Sequence, residues 1–114
     1  MNTPGALAEQ LAAQYLQQQG LKLLQMNYRC RYGEIDLILQ HGDTHVFVEV
    51  RLRSGAAFGG AAASIDARKQ AKLVRTARHY LSQLQHIPPC RFDAVLMQAA
   101  DVNKLEWVRN AFTA

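Results

Sequence analysis

Leu7, Leu11, Ala12, Tyr15 and Leu16 recur at helical spacing behind Thr3 and Pro4, and Gly20 ends the run, so a helix is predicted over residues 4–19. Thr3 suits the N-cap because its hydroxyl can accept from a first-turn amide, and Pro4 suits the first helical position, where no N–H is needed. The pattern then thins to Leu21, Leu23, Leu24, Met26 and Tyr28, which reads as a first strand over 21–29. Two runs rich in strand formers follow, 34–39 and 46–50, on either side of His41-Gly42-Asp43-Thr44. Glycine at the first central position of a two-residue turn makes these runs a hairpin. From 64 to 85, Ala67, Ala71, Val74, Ala77, Leu81 and Leu84 align on one face of a second helix, with Arg68, Lys72, Arg75 and His79 on the opposite one. Pro88-Pro89 closes the connection, 92–97 reads as a fourth strand and 105–108 as a fifth. The second helix is long enough to cross between parallel strands three and four. The expected fold is therefore α/β, a mixed sheet of four to five strands flanked by helices, in the order helix, three strands, helix, two strands.

The chain has 114 residues, 49% hydrophobic and 19% charged, which predicts one domain spanning 1–114 with a core that needs no disulfide or structural metal. Cys30 and Cys90 form neither a C-x-x-C motif nor a ligand quartet, which argues against a zinc finger and for reduced, intracellular thiols. No basic leader precedes an apolar run, and no run approaches the roughly 18 residues of a membrane span, so a cytoplasmic protein without membrane contact is expected. The segment 54–63 carries Gly55, Gly59 and Gly60 but no Gly-Lys-Ser/Thr, which excludes a phosphate-cradling P-loop. It reads either as a loop folding Phe58 over a substrate or as a connector.

Charge sharpens this picture. The net charge is +4, yet between Arg51 and Tyr80 seven basic residues stand against the single acid Asp66. Such a segment fits a protein that meets a polyanion, and equally the solvated face of an amphipathic helix.

The hairpin register brings out candidate chemistry. With His41 facing Thr44, Asp36 faces Glu49 and Glu34 faces Arg51. Alternation then sends these four to one face and Ile35, Leu37, Val48 and Val50 to the other. Like charges about 4.5–5.5 Å apart across a sheet are destabilising unless compensated. Mg²⁺ or Mn²⁺, commonly held by one or two carboxylates, water and phosphate oxygens, would compensate them. The plainer alternative is an exposed hairpin in which Glu34 pairs with Arg51. Against it, 46–50 reads as a strand buried on both faces, where an unpartnered carboxylate is costly. His41, His45, His79 and His86 show no zinc-ligand spacing, Phe92, Trp107 and Phe112 read as packing, and Asp93 reads as a local partner or a further site acid.

Gly5 and Glu9 ahead of Ala12-x-x-Tyr15-Leu16, then Asn27-Tyr28-Arg29, Gly33-Glu34-Ile35-Asp36-Leu37-Ile38, Phe47-Val48-Glu49-Val50-Arg51 and Arg91-Phe92-Asp93, resemble the YraN family of bacterial proteins over nearly the whole chain. That family is similar to the restriction-endonuclease-like PD-(D/E)xK nucleases, archaeal Holliday junction resolvases in particular. The resemblance implies a three-layer α/β/α restriction-endonuclease-like core. It implies Asp36 and Glu49 as metal ligands, the Val50 carbonyl as a third, Arg51 at the place of the motif lysine, and Glu9 as an accessory acid. Glu9 otherwise reads as a solvated helix acid. Mg²⁺ or Mn²⁺ is the implied cofactor, DNA the implied partner, and a homodimer is suggested by the resolvases. Arg51 departs from the superfamily pattern, since arginine keeps its proton and can only stabilise developing negative charge. Lys69 is a candidate replacement, and otherwise a solvated helix lysine. Arg53, Arg68, Lys69, Lys72 and Arg75 are candidate contacts to backbone phosphates. The expected function is a metal-dependent endonuclease on structured DNA. The alternative is a catalytically silent nucleic-acid-binding module working with repair or recombination partners.

Overall fold

Thr3 caps α1 (Pro4–Gln18), its Oγ1 accepting from the Ala6 amide at 3.1 Å. In this computed structural model, which describes residues 3–53, 65–98 and 101–114, α1 leads into β1 (Lys22–Cys30), β2 (Gly33–His41) and β3 (Thr44–Arg53). α2 (Ala67–Leu81), β4 (Cys90–Gln98), a 3-10 turn at Val102–Lys104 and β5 (Leu105–Phe112) follow. The five strands form one sheet in the order β1-β2-β3-β4-β5. Only β3 and β4 run parallel, and α2 lies in the connection between them. The expected element order and the mixed sheet are those observed.

Alternation along the central strands separates two cores. Val46 and Val48 of β3 and Val95 and Met97 of β4 pack with Ala8, Ala12, Ala13 and Leu16 of α1. Phe47, Phe92, Ala94 and Leu96 pack with Ile65 and with Leu73 and Ala77 of α2. One helix therefore covers each face. Phe47 and Phe92 stack at 5.5 Å between centroids and Phe92 and Phe112 at 4.7 Å, so Phe92 and Phe112 serve packing, as expected.

α2 departs from its predicted form. It starts at Ala67, where Asp66 accepts from the Lys69 amide at 2.8 Å as N-cap, and ends at Leu81, shorter than 64–85. Its buried residues are Leu73, Thr76 and Ala77, while Ala67 and Ala71 are exposed. The helix is rotated because it seats on the β1–β2 turn: a Cβ built on Gly33 would lie 3.1 Å from Thr76 Oγ1. The Thr76 hydroxyl is satisfied by donating to the Lys72 carbonyl at 2.8 Å. The segment 54–63, with Gly55, Phe58, Gly59 and Gly60, lies outside the described residues, as does the side chain of Arg53.

Asp93 belongs to the fold. It is 1% exposed, and its two oxygens accept from Arg91 Nε, Trp107 Nε1 at 3.0 Å and the Asn110 amide at 3.0 Å, across a β4–β5 irregularity. Asn110 there adopts φ 52°, and Arg91 also reaches His41 Nδ1 at 2.9 Å. Asp93→Ala would strand a guanidinium and two N–H donors, so urea unfolding is expected to show a loss of about 3–5 kcal/mol. Leu16→Ala, in the α1 core, should cost about 2–5 kcal/mol. Leu7→Ala, where Leu7 is 40% exposed on the same helix, should stay within about 0.5 kcal/mol of wild type.

Candidate metal centre

The hairpin pairs as its turn predicts, from His41 opposite Thr44 to Leu37 opposite Val48, with Gly42 at φ 62°. There the pairing stops. β3 runs on beside β4 as far as Arg53 opposite Gln98, but β2 no longer follows it. Asp36 and Glu49 are therefore not a laddered cross-strand pair. The Val50 amide, left without a β2 carbonyl, donates instead to Asp36 Oδ2 at 2.8 Å.

A second irregularity aims Asp36 into this opening. In the β1–β2 register Met26 is opposite Leu37 and Tyr28 opposite Ile35; between them Asn27 adopts φ 53°. Met26 and Leu37 pack in the α1 core, whereas Tyr28 and Ile35 pack in the α2 core. The strands thus turn over at Asn27 and Asp36, and Ile35 and Leu37 do not share a face as strict alternation predicts. Such local breaks in a ladder re-aim side chains. Asparagine tolerates the left-handed region better than most residues, which makes an Asn inside a strand the signal for it.

Four acids gather here with different partners. Glu49, 6% exposed, has its Oε2 3.5 Å from Lys69 Nζ and 3.7 Å from Arg51 Nε. Lys69 is thus an inward-facing member of the site, while Arg68, Lys72 and Arg75 stand exposed on α2. Glu9 of α1 accepts from Asn27 Nδ2 at 2.8 Å and interacts with Asp36. Glu34 does not meet Arg51. It lies 3.2 Å from Arg29 Nε across the β1–β2 turn and accepts from Asn27 at 3.2 Å, because the ladder opening carries β3 away from it. Asn27, to which the sequence reading assigned no role, links Glu9 to Glu34.

The electrostatics follow from this crowding. Burial first, and the neighbouring Glu49 charge second, push the Asp36 carboxyl from its ordinary 3.8 up to about 7, although the Val50 amide favours its ionised form. Glu9 is raised too, by burial foremost and by Asp36, and the Asn27 bond opposes that shift.

The donors here are two carboxyls, Asp36 and Glu49. Among the described residues no group of three or more His, Cys, Asp or Glu side chains is placed to hold a metal ion. A cation here would rest on two carboxylates and complete its shell with a backbone carbonyl, water and substrate oxygens, the habit of Mg²⁺ and Mn²⁺. Two neighbouring carboxyls, one of them raised by the charge of the other, gain the most from such a cation.

The profile of the uncharacterised protein family UPF0102 matches residues 8–97. A UPF0102 protein of Nitrosomonas europaea is 63% identical over 108 residues, covering 95% of this chain and 92% of the relative. One from Methylobacillus flagellatus is 54% identical over 114 residues, covering the whole of both chains. One from Psychromonas ingrahamii is 50% identical over 111 residues, covering 97% of this chain and 90% of the relative. The chain belongs to the UPF0102 family, the YraN family of the motif resemblance.

The raised Asp36 carboxyl sets a pH dependence. The folded protein holds this proton more tightly than the unfolded chain, so the associated stabilisation is full below about pH 4 and is lost as pH rises through about 7. Thermal unfolding in a chelator from about pH 5 to about pH 8 is expected to show wild type losing on the order of 1–4 kcal/mol relative to Asp36→Asn, which carries no charge.

Proposed function

We propose that this member of the UPF0102 family is a divalent-metal-dependent endonuclease hydrolysing phosphodiester bonds in structured DNA. The observation that carries the reading is the meeting of two inward-facing carboxylates, Asp36 and Glu49, where β2 leaves β3, with Lys69 Nζ 3.5 Å from Glu49 Oε2. Two acids and an amine are the elements of the PD-(D/E)xK constellation, and here the amine comes from α2 while Arg51 occupies the strand position of the motif lysine.

Asp36, Glu49 and the Val50 carbonyl would hold Mg²⁺ or Mn²⁺, which lowers the pKa of a bound water and neutralises phosphate charge. Lys69 can exchange a proton, so it orients the attacking water and helps to deprotonate it. Arg51 cannot, and stabilises charge on the phosphate and the departing oxygen. Glu9 adjusts the charge on Asp36. Arg68, Lys72 and Arg75 position the backbone by phosphate contacts, and Arg53 is a further candidate from the sequence. Target choice then falls to DNA shape or to a second copy of the chain, and we place this activity in the cytoplasm. No helix among the described residues is long and apolar enough to cross a membrane.

One observation favours a silent nucleic-acid-binding module acting with repair or recombination partners. Arg51 and Lys69 already neutralise Glu49 without a metal.

Calorimetry with Mn²⁺ and Mg²⁺, followed by incubation with labelled duplex, junction, flap and RNA substrates, separates the readings. Wild type is expected to bind metal and cleave structured DNA, and Asp36→Asn/Glu49→Gln to lose both. Lys69→Ala should keep metal binding and lose roughly 100-fold or more in cleavage rate. Arg68→Ala and Lys72→Ala should each lower the slope of log affinity against log salt by about 0.9. Metal binding without cleavage of any substrate establishes the silent module, and no metal binding even with DNA present overturns the catalytic reading.

A further inference from the structure

Beyond the carboxylates, α2 walls a pocket of about 340 Å³ lined by Tyr32, Arg75, Arg78, His79 and Ser82. Its size falls in the lower range of small-ligand sites, which run from about 300 Å³ upward. Its chemistry is one-sided. Two aromatic rings, two guanidiniums and a hydroxyl line it, with no carboxylate. Among the described residues neither Arg75 nor Arg78 has an acidic partner, and both are exposed.

The walls are held in place. His79 is hydrogen-bonded through Nδ1 to the Tyr28 hydroxyl, which also accepts from Gln83 Nε2 at 2.9 Å. Tyr32 has the Arg31 guanidinium 4.9 Å from its ring centroid, and Arg31 donates to the Tyr32 hydroxyl at 2.8 Å. The Tyr32 and His79 centroids lie 5.9 Å apart at 59°. Aromatic and guanidinium planes offer π faces, and unpaired arginines call for negative charge. The ligand class that carries both a flat π system and an anion is a nucleotide.

We infer that this pocket receives one unpaired nucleotide of the nucleic acid, its base against Tyr32 and His79 and its phosphate on Arg75 and Arg78. The inference rests on the nuclease reading and narrows its substrate class, because a base held in a duplex cannot enter a concave site. Arg75 and His79 lie six and ten residues beyond Lys69 on α2, which at about 1.5 Å per residue is about 9–15 Å. At about 3.4 Å per stacked step that distance spans roughly three to four nucleotides. The substrate is therefore a duplex carrying a single-stranded tail, a flap or an opened junction, with the unpaired nucleotide three to four steps from the bond that is cut.

The test measures the affinity of the full chain, in a chelator, for a blunt duplex and for the same duplex with a short single-stranded tail. A tail is expected to tighten binding roughly 10-fold or more, the worth of one base stacked on an aromatic platform. Tyr32→Ala and Arg78→Glu should each abolish that gain, Tyr32→Phe should keep it, and Lys104→Ala, at an exposed cation away from the pocket, should leave it unchanged. Arg78 is exposed, so its variant reports on the pocket even where Tyr32→Ala fails to fold. Equal binding of blunt and tailed DNA, a gain that survives both variants, or no DNA binding at all overturns the inference. Metal-dependent cleavage that needs Asp36 but ignores the tail sinks the pocket alone. A tail preference without cleavage sinks the catalytic reading and leaves the pocket standing.

Discussion

The hydrogen bond from the Val50 amide to Asp36 Oδ2, 2.8 Å long, organises the site. β3 follows β4 past the point where β2 departs, so the Val50 amide would face an unpaired sheet edge. A buried backbone donor needs an acceptor, and a carboxylate supplies it in place of a strand. That choice of acceptor places an acid in the plane of the sheet, between α1 and α2. It also brings a carboxyl beside Glu49, and the conflict raises Asp36 and draws Lys69 and Arg51 to Glu49.

Two aspartates with little or moderate exposure show how environment divides structure from chemistry. Asp93 receives donors from Arg91, Trp107 and Asn110, and nothing on its oxygens is left to satisfy. Asp36 receives one amide and otherwise faces Glu49 and Glu9. The first ties β4 to β5. The second is a carboxyl poised between two protonation states near neutrality, the condition in which a cation or a substrate proton can tip it.

The parts of the fold legible in the sequence are those set by local rules. Thr3 and Pro4 mark the start of α1, Gly42-Asp43 sets the β2–β3 register, and the length of α2 permits a parallel crossover. The site was legible only as far as that register holds. It brings Asp36 near Glu49, but strict alternation misplaces Ile35 and Glu34, because a single left-handed residue, Asn27, turns the strand over. Lys69 reads along α2 as one more cation in a basic stripe. Its turn inward depends on the rotation of the helix, which is set by Gly33 and Thr76 at a distance in sequence. The alanines of α2 carry too weak a pattern to report that rotation, and a buried threonine contradicts it.

Ala8, Ala12 and Ala13, which seat α1 on the sheet, have no side-chain torsions to adjust. Their methyl groups cannot repack around a displaced neighbour, and Leu16 anchors the far end of the same face. Glu9, next to Ala8, is therefore placed by the way α1 docks. The distance between Glu9 and Asp36 becomes a property of the whole helix docking onto the sheet. Any force that lifts α1, whether a partner on its outer face or an enlarged residue beneath it, is felt at the carboxylates as a change of charge environment without touching them.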